Sequence, residues 1–365
     1  MSIQVVQGDL LKQDDVDAIV NTVNCVGIMG KGIALQFKNK WPKNFSAYQT
    51  ACRAGELKPG KMFVFDAGAY ARPHFIINFP TKDHWRGKSK LAFIRDGLHD
   101  LVAQIKCLNI QSVAIPPLGC GNGGLDWEEV RPMIVGAFAA IPDVDARLFE
   151  PTGAPDPKSM EINTEKPRMT LARAAIVKAL EAYAQVGYGL SKLEVQKLVY
   201  FMQLVGVPFR RVDFVADKYG PYSDALRHAL ERMDGHYIRG LGDGVVEAEI
   251  EPTEFAQREA DLFLREEPDG QKITVAVERV SQLIDGYQSA YGMELLATVH
   301  WVATNSPQAN NSNEALVAIR KWSTRKAELM PPSHVDAAWS RLVTQKWIKS
   351  TTIVSSPEQG AFTLQ

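Results

Sequence analysis

The sequence predicts an α/β sandwich with a largely parallel or mixed sheet over its first 150 residues, followed by a mainly α-helical second domain. Three observations carry this. The first part alternates short apolar runs, bounded by Gly, Pro or Asn, with longer stretches of helical spacing. A Pro-rich run then breaks the pattern, and beyond it apolar residues recur at helical intervals. At 365 residues the chain also exceeds one ordinary core, since domains cluster at roughly 100–200 residues, so two domains are expected.

In order, residues 18–20, 63–65, 75–79 and 112–115 read as strands, and 31–39, 91–108 and 127–140 have helical length. This alternation is the mark of a layered α/β domain. The run EPTGAPDPKSMEINTEKP at 150–167 holds four prolines and little apolar periodicity, which suits an exposed linker. The expected organisation is a first domain over 1–152, a linker over 153–168 and a second domain over 169–365. Past the linker, Leu171, Ala175, Leu180 and Tyr183 keep helical spacing, and Ser191 with Glu194 forms a capping-box signature ahead of LVYFMQLV. Further helices are expected over 223–233, 254–265, 273–291, 294–304, 313–329 and 335–348, with an edge strand over 245–250.

Composition narrows the class. With 45% hydrophobic and 23% charged residues the chain is neither disordered nor fibrous. Forty-one Lys and Arg against 42 Asp and Glu leave a formal charge of −1, so any nucleic-acid binding must come from a local patch. No window approaches the roughly 20 apolar residues of a membrane span, and no basic segment precedes an apolar one at the start, which predicts a cytoplasmic protein with no membrane partner. Cys25, Cys52, Cys107 and Cys120 lack CxxC spacing or a His cluster, so reduced thiols are expected, with no metal and no cofactor.

The chemistry-bearing residues gather at predicted strand ends, where open α/β sheets bind ligands. Asp9 follows Gly8 after the first strand, and Asn21 and Asn24 flank the exit of the second, where carboxamides can read sugar hydroxyls. Next comes Gly27-Ile28-Met29-Gly30-Lys31-Gly32-Ile33-Ala34, a Gly-rich turn feeding a helix, suited to phosphate but neither GxGxxG nor a P-loop. A second glycine cluster, Pro116 to Trp127 (PPLGCGNGGLDW), also joins a strand to a helix. Two anion-cradling loops imply a ligand with two phosphates and sugars between them.

Together Gly8-Asp9-Leu10, VNTVN, GIMGKGIA and PPLGCGNGGLDW resemble the macrodomain, an ADP-ribose-binding three-layer α/β sandwich with a mixed sheet, across the whole first domain. The resemblance implies ADP-ribose contacts from Asp9 and Leu10, from Asn21 and Asn24, and from Gly30, Lys31, Gly32 and Ile33. It adds Thr81 and, in the second loop, Pro117, Gly119, Cys120, Gly121, Asn122, Gly123, Gly124 and Leu125. Asp9 would meet adenine, the two loops the pyrophosphate, and Asn21, Asn24 and Lys31 the distal ribose. Asn78-Phe79-Pro80-Thr81-Lys82-Asp83-His84-Trp85-Arg86 is similar to the lysine-bearing motif of the DarG branch, related to the terminal ADP-ribose glycohydrolases. VNTVN in place of VNAAN, and MGKGIA in place of a triple-glycine loop, separate the chain from the deacetylase branch.

By that resemblance Lys82 attacks the opened ribose covalently and Asp126 transfers the proton, acting on ADP-ribosylated single-stranded DNA and yielding ADP-ribose. A lysine nucleophile must be neutral, which burial favours. Asp126 also stands where a residue caps a helix. His84, Trp85, Arg86, Lys88 and Lys90 combine cations with an aromatic ring at the expected pocket mouth, a combination that tracks a phosphodiester backbone and stacks a base.

In the second domain, LEVQKLVYF at 193–201 followed by Lys218-Tyr219-Gly220-Pro221-Tyr222 resembles the helical Panacea-type antitoxin domain. This implies a DarT-like DNA ADP-ribosyltransferase toxin as partner and a DarT/DarG toxin–antitoxin role. Asp243 to Asp269 carries ten acids against Arg258 and Arg265, an excess that could mimic DNA or simply face water. The competing readings are a hydrolase acting on ADP-ribosylated protein or O-acetyl-ADP-ribose, and a non-catalytic ADP-ribose reader.

Overall fold

Short runs of branched and aromatic residues build a sheet buried on both faces. The computed structural model describes residues 3–151, 153, 156–184, 190–242 and 249–349. They divide into two units: Met1–Lys166 with the described part of Asp234–Ala248, and Pro167–Met233 with the described part of Glu249–Gln365.

The first unit runs β1 (Ile3–Val6), β2 (Ala18–Val23), α1 (Gly32–Lys40), α2 (Pro42–Arg53), β3 (Phe63–Asp66), β4 (Phe75–Pro80), α3 (Leu91–Cys107), β5 (Ser112–Ile115), α4 (Trp127–Phe138) and β6 (Asp145–Phe149). The sheet order is β1-β6-β5-β2-β4-β3, with parallel pairing throughout except for the antiparallel edge strand β3. Alternation along the strands makes two cores. Val20, Ile77, Val113 and Leu148 pack with α3 and α4, while Ile19, Ile76 and Ala114 pack with Phe37 of α1 on the other face. The three-layer mixed-sheet sandwich is therefore observed.

Helix α2 was not anticipated. It opens on Pro42, suited to a first helical position, but its buried residues are Asn44, Tyr48 and Ala51, so no apolar stripe announces it. The Pro-rich run folds back in part. Asn163 donates its N–H to the Asn39 carbonyl (2.8 Å) and its amide to Lys40 (3.0 Å), and Glu161 pairs with Lys40 at 2.8 Å.

The second unit contains α5 (Leu171–Ala184), α6 (Lys192–Leu204), the hairpin β7 (Val215–Asp217) and β8 (Gly220–Tyr222), then α7 (Asp224–Met233) and α8 (Glu254–Glu266). It continues with α9 (Gly270–Ile284), α10 (Ala290–Asn305), α11 (Ser312–Trp322), α12 (Thr324–Leu329) and α13 (Pro332–Thr344). The capping box of α6 is formed, Ser191 and Glu194 each accepting the other's backbone N–H. The break expected between 273–291 and 294–304 falls earlier, and the expected helix 313–329 is divided. Gly286, at φ +79°, separates α9 from α10, and Ser323, which caps α12, separates it from α11. Of the expected strand 245–250, residues 245–248 lie outside the described residues, as do Asp243 and Glu247 of the acidic run. Within the rest of that run Asp261 pairs with Lys178 at 2.7 Å, and Glu254 with Arg258.

The signature segments of this unit meet around buried charge. Glu294 accepts two bonds from Arg325 (2.7 and 3.0 Å) and one from the enclosed Lys326 (2.7 Å). Burial pushes the Glu294 carboxyl up, but these hydrogen bonds outweigh it and hold it below the usual range. Lys197 donates to the Pro221 carbonyl at 2.8 Å, and burial brings its pKa down to about 7. Gly220, at φ +92°, leaves room for this: a Cβ there would lie 3.1 Å from Thr298 Oγ1 and 3.6 Å from Lys197 Cε.

Gly97 in α3 supplies a test of packing against propensity. A Cβ there would fall 2.3 and 2.5 Å from ring carbons of the buried Phe79. Helix propensity alone would favour Ala by about 1 kcal/mol, whereas overpacking a core costs roughly 1–3 kcal/mol. Gly97→Ala is expected to lower the urea midpoint of the first unit.

Candidate active site

Because β1, β5, β2 and β4 run parallel, their exits share one edge of the sheet. The β2 exit is held by carboxamides. Asn21 is fully enclosed and donates to Asn78 Oδ1 of β4 at 3.0 Å, and Asn78 in turn donates to Asn44 Oδ1 at 2.7 Å. Asn21 Oδ1 has no partner among the described residues and is closed off from the surface, so the sugar contact expected of Asn21 is not available to it in this structure. Asn24 Oδ1 accepts from the N–H groups of Val26 (3.0 Å) and Ile28 (3.4 Å) and from the Tyr48 hydroxyl (3.2 Å), while its amide donates to the Ile28 carbonyl. Asn24 thus shapes the loop that presents Gly30 and Lys31.

Lys31 is exposed, and no side chain caps the start of α1 at Gly32 and Ile33, a helix end that favours an anion. Gly32 lies at φ +59°, and a Cβ on it would come 2.9 Å from Asn122 Nδ2 of the second Gly-rich loop. The two loops therefore approach each other.

After β5, the loop closes on itself. Leu125 N–H donates to the Gly119 carbonyl (3.1 Å), Gly124 N–H to Gly121 (3.0 Å) and Cys120 N–H to Pro117 (3.2 Å). Among the described residues the N–H groups of Gly121, Asn122 and Gly123 find no protein acceptor, so three successive donors remain for a ligand, an arrangement that binds anions. Burial, with Asp126 nearby, pushes the Cys120 thiol up to about 11, which keeps it protonated.

The β4 exit brings in the lysine. Thr81 is buried, its N–H on the Val23 carbonyl at 3.0 Å, and the half-buried Lys82 donates Nζ to the Asn122 carbonyl. Burial lowers the Lys82 pKa, with no carboxylate opposing it. Asp126 is exposed and caps α4, Oδ1 accepting the Glu128 N–H at 3.0 Å, and the structure shows no ion pair between it and Lys82. Asp9 caps the turn Leu10–Lys12 through the Leu11 N–H at 2.9 Å, and Leu10 turns its side chain into the core.

Beyond Lys82, His84 stacks on Trp85 at 5.6 Å and the Arg86 guanidinium lies 4.7 Å from the Trp85 ring centre. Trp85 is 47% exposed, so it is not part of the core. Lys88 is exposed, and Lys90 lies over Phe93 at 5.2 Å.

Residues 20–134 match the Macro domain family model. A Mycobacterium tuberculosis protein named DNA ADP-ribosyl glycohydrolase is 45% identical over 349 residues, covering 92% of this chain and 97% of its own. The chain belongs to the DNA ADP-ribosyl glycohydrolase family. A Thermosipho africanus fusion named DNA ADP-ribosyl transferase–DNA ADP-ribosyl glycohydrolase is 32% identical over 148 residues, 36% of this chain and 38% of its own. The solved macrodomain of M. tuberculosis DarG is 59% identical, with TM-score 0.40, covering 41% of this chain and 98% of that one.

In this member of the family several residues that sequence reasoning passed over hold the site together. Asn44, Tyr48 and Asn78 orient the β2 exit, and Ser89 donates its N–H to the Gly123 carbonyl at 3.1 Å. Ser89 lies among the cations Arg86, Lys88 and Lys90, and Asn44 lies in α2, which carries no apolar stripe. Gly123 tests the closure of the loop, because a Cβ there would lie 2.1 Å from the Gly119 oxygen. Gly123→Ala is expected to weaken ADP-ribose binding by about tenfold or more in calorimetric titration, since the amides can no longer converge.

Proposed function

We propose that the chain is a cytoplasmic DarG-type antitoxin. Its first part (1–152) hydrolyses the bond between ADP-ribose and a base of single-stranded DNA, and its second (169–365) sequesters a DNA ADP-ribosyltransferase toxin. One observation carries the catalytic reading: a half-buried lysine amine, its pKa lowered, stands where two Gly-rich loops meet. The free amides of Gly121, Asn122 and Gly123 and the start of α1 would hold the diphosphate, with Asp9 toward adenine. Lys31 would face the distal ribose, while Asn21, fully enclosed against Asn78, and Asn24 act from behind by holding the β2 exit and its loop.

In this mechanism the Lys82 amine adds to the anomeric carbon of the opened ribose. The bond to the base breaks, the base leaves with a proton relayed by Asp126, and water then cleaves the lysine adduct to give ADP-ribose. A depressed pKa enlarges the neutral fraction of Lys82, so kcat/KM should rise with pH up to a limb below the 10.5 of a free lysine. Lys82→Ala should reduce ADP-ribose release from modified single-stranded DNA by about 100-fold or more while ADP-ribose still binds. Release at the wild-type rate would sink the assignment.

The stack of His84, Trp85 and Arg86, with Lys88 and Lys90, suits the strand flanking the modified base. Changing Arg86, Lys88 and Lys90 to Glu should weaken single-strand binding and spare free ADP-ribose. The salt dependence should fall by about 0.7 per lost phosphate contact. Toxin binding by the second unit is supported by its Panacea-like segments and by the relative in which transferase and glycohydrolase share one chain.

A further inference from the structure

Part of the Pro-rich run lies against Asp9. Asp9 and Lys12 of the first turn and Lys40 of α1 face Ser159, Met160 and Glu161 across a cavity of about 20 Å³. That is room for about one water molecule, and a purine ring does not fit. The run is fixed differently at its two ends. At its base, Asn163 is bonded twice to α1, by its N–H to the Asn39 carbonyl (2.8 Å) and by its amide to the Lys40 carbonyl (3.0 Å), and Thr164 Oγ1 lies 2.9 Å from His236 Nε2. Nearer Asp9 an ion pair holds it. The Lys40 ammonium donates to the Leu11 carbonyl at 2.7 Å and pairs with Glu161 at 2.8 Å, and Arg239 reaches the Lys158 carbonyl at 3.4 Å. Lys40 keeps the Glu161 carboxyl below the usual carboxylate range, so the pair is formed at neutral pH. The Glu161 side chain is 54% exposed, however, and an ion pair open to water holds weakly.

We infer that Ser159–Glu161 is a strap that closes over Asp9 and must lift before a purine enters. The movement breaks the exposed pair of Glu161 with Lys40 and leaves the bonds of Asn163 to α1 in place, so the strap swings from its base. Closure then competes with the ligand, and the apparent affinity falls with the fraction of chains whose strap is open. Only a ligand with a base bears this cost, because a bare diphosphate meets the Gly121–Gly123 amides without displacing the strap. The inference rests on the ADP-ribose reading of the cleft, which puts adenine at Asp9.

The test uses the full chain with Glu161→Gln, which removes the ion pair, and Met160→Gly, which removes a side chain lining the cavity. Binding of ADP-ribose and of inorganic pyrophosphate is measured by calorimetry, and tryptic cleavage after the exposed Lys158 is followed by mass spectrometry. Both variants are expected to bind ADP-ribose about threefold more tightly, because a larger fraction of chains is open, and pyrophosphate as the wild type does. Saturating ADP-ribose should speed cleavage of the wild-type chain after Lys158, since the lifted segment is a better protease substrate, and pyrophosphate should not. Weaker ADP-ribose binding by Met160→Gly, or protection of Lys158 by ADP-ribose, would make the segment a fixed wall of the site and overturn the strap alone. Unchanged ADP-ribose affinity in both variants, or an equal gain for pyrophosphate, would also overturn it. Failure of the wild-type chain to bind ADP-ribose would overturn the cleft reading and this inference together.

Discussion

The site depends on a close approach at Asn122. Lys82 from the β4 exit donates to its carbonyl, and Gly32 at the start of α1 leaves just enough room for its amide. Three strand exits are thereby drawn to one residue. A lysine at this junction loses water contact without gaining a carboxylate, which is the combination that lowers its pKa. The loop that lowers the pKa is also the loop that offers free amides, so an anion bound there would sit next to the lysine.

That approach requires a rigid edge behind it. The parallel strands supply one, because pairing of β2 with β4 and β5 sets their exits side by side. Asn21, Asn78 and Asn44 then link β2, β4 and α2 through buried carboxamides. Such polar chains stabilise only when nearly every donor and acceptor is matched. Among the described residues Asn21 Oδ1 and Ser89 Oγ stay unmatched, both enclosed behind the exits of β2 and β4.

The second unit uses buried polarity differently. Glu294 is saturated by Arg325 and Lys326, and Lys197 is tied to the β8 backbone. Removing one partner of such a cluster strands the other, so it fixes one geometry rather than adding much stability. The geometry so fixed is that of the hairpin bearing Tyr219 and Gly220, the segment that carries the antitoxin resemblance.

Much of this was legible in the sequence. Strand and helix periodicity, the Ser191–Glu194 capping box and the two Gly-rich loops are local properties, set by which residues follow which, and they recur in the structure at the expected places. The helix breaks at Gly286 and Ser323 were local as well but weak, since one glycine or one serine does not by itself end a periodic run. What sequence could not decide was long-range. Asn24 read as a sugar contact, and only folding showed its oxygen taken by Val26, Ile28 and Tyr48. Helix α2 stayed hidden because its buried face is Asn44 and Tyr48, residues that read as surface until Asn78 is beside them. Ser89 looked like a gap in a run of cations until the chain placed it under Gly119 and Gly123. Spacing along the chain determined the elements and the kinds of group at their ends. Which donors remain free for a ligand was decided by the tertiary structure, because a hydrogen bond is claimed by whatever lies within about 3 Å, however distant in sequence.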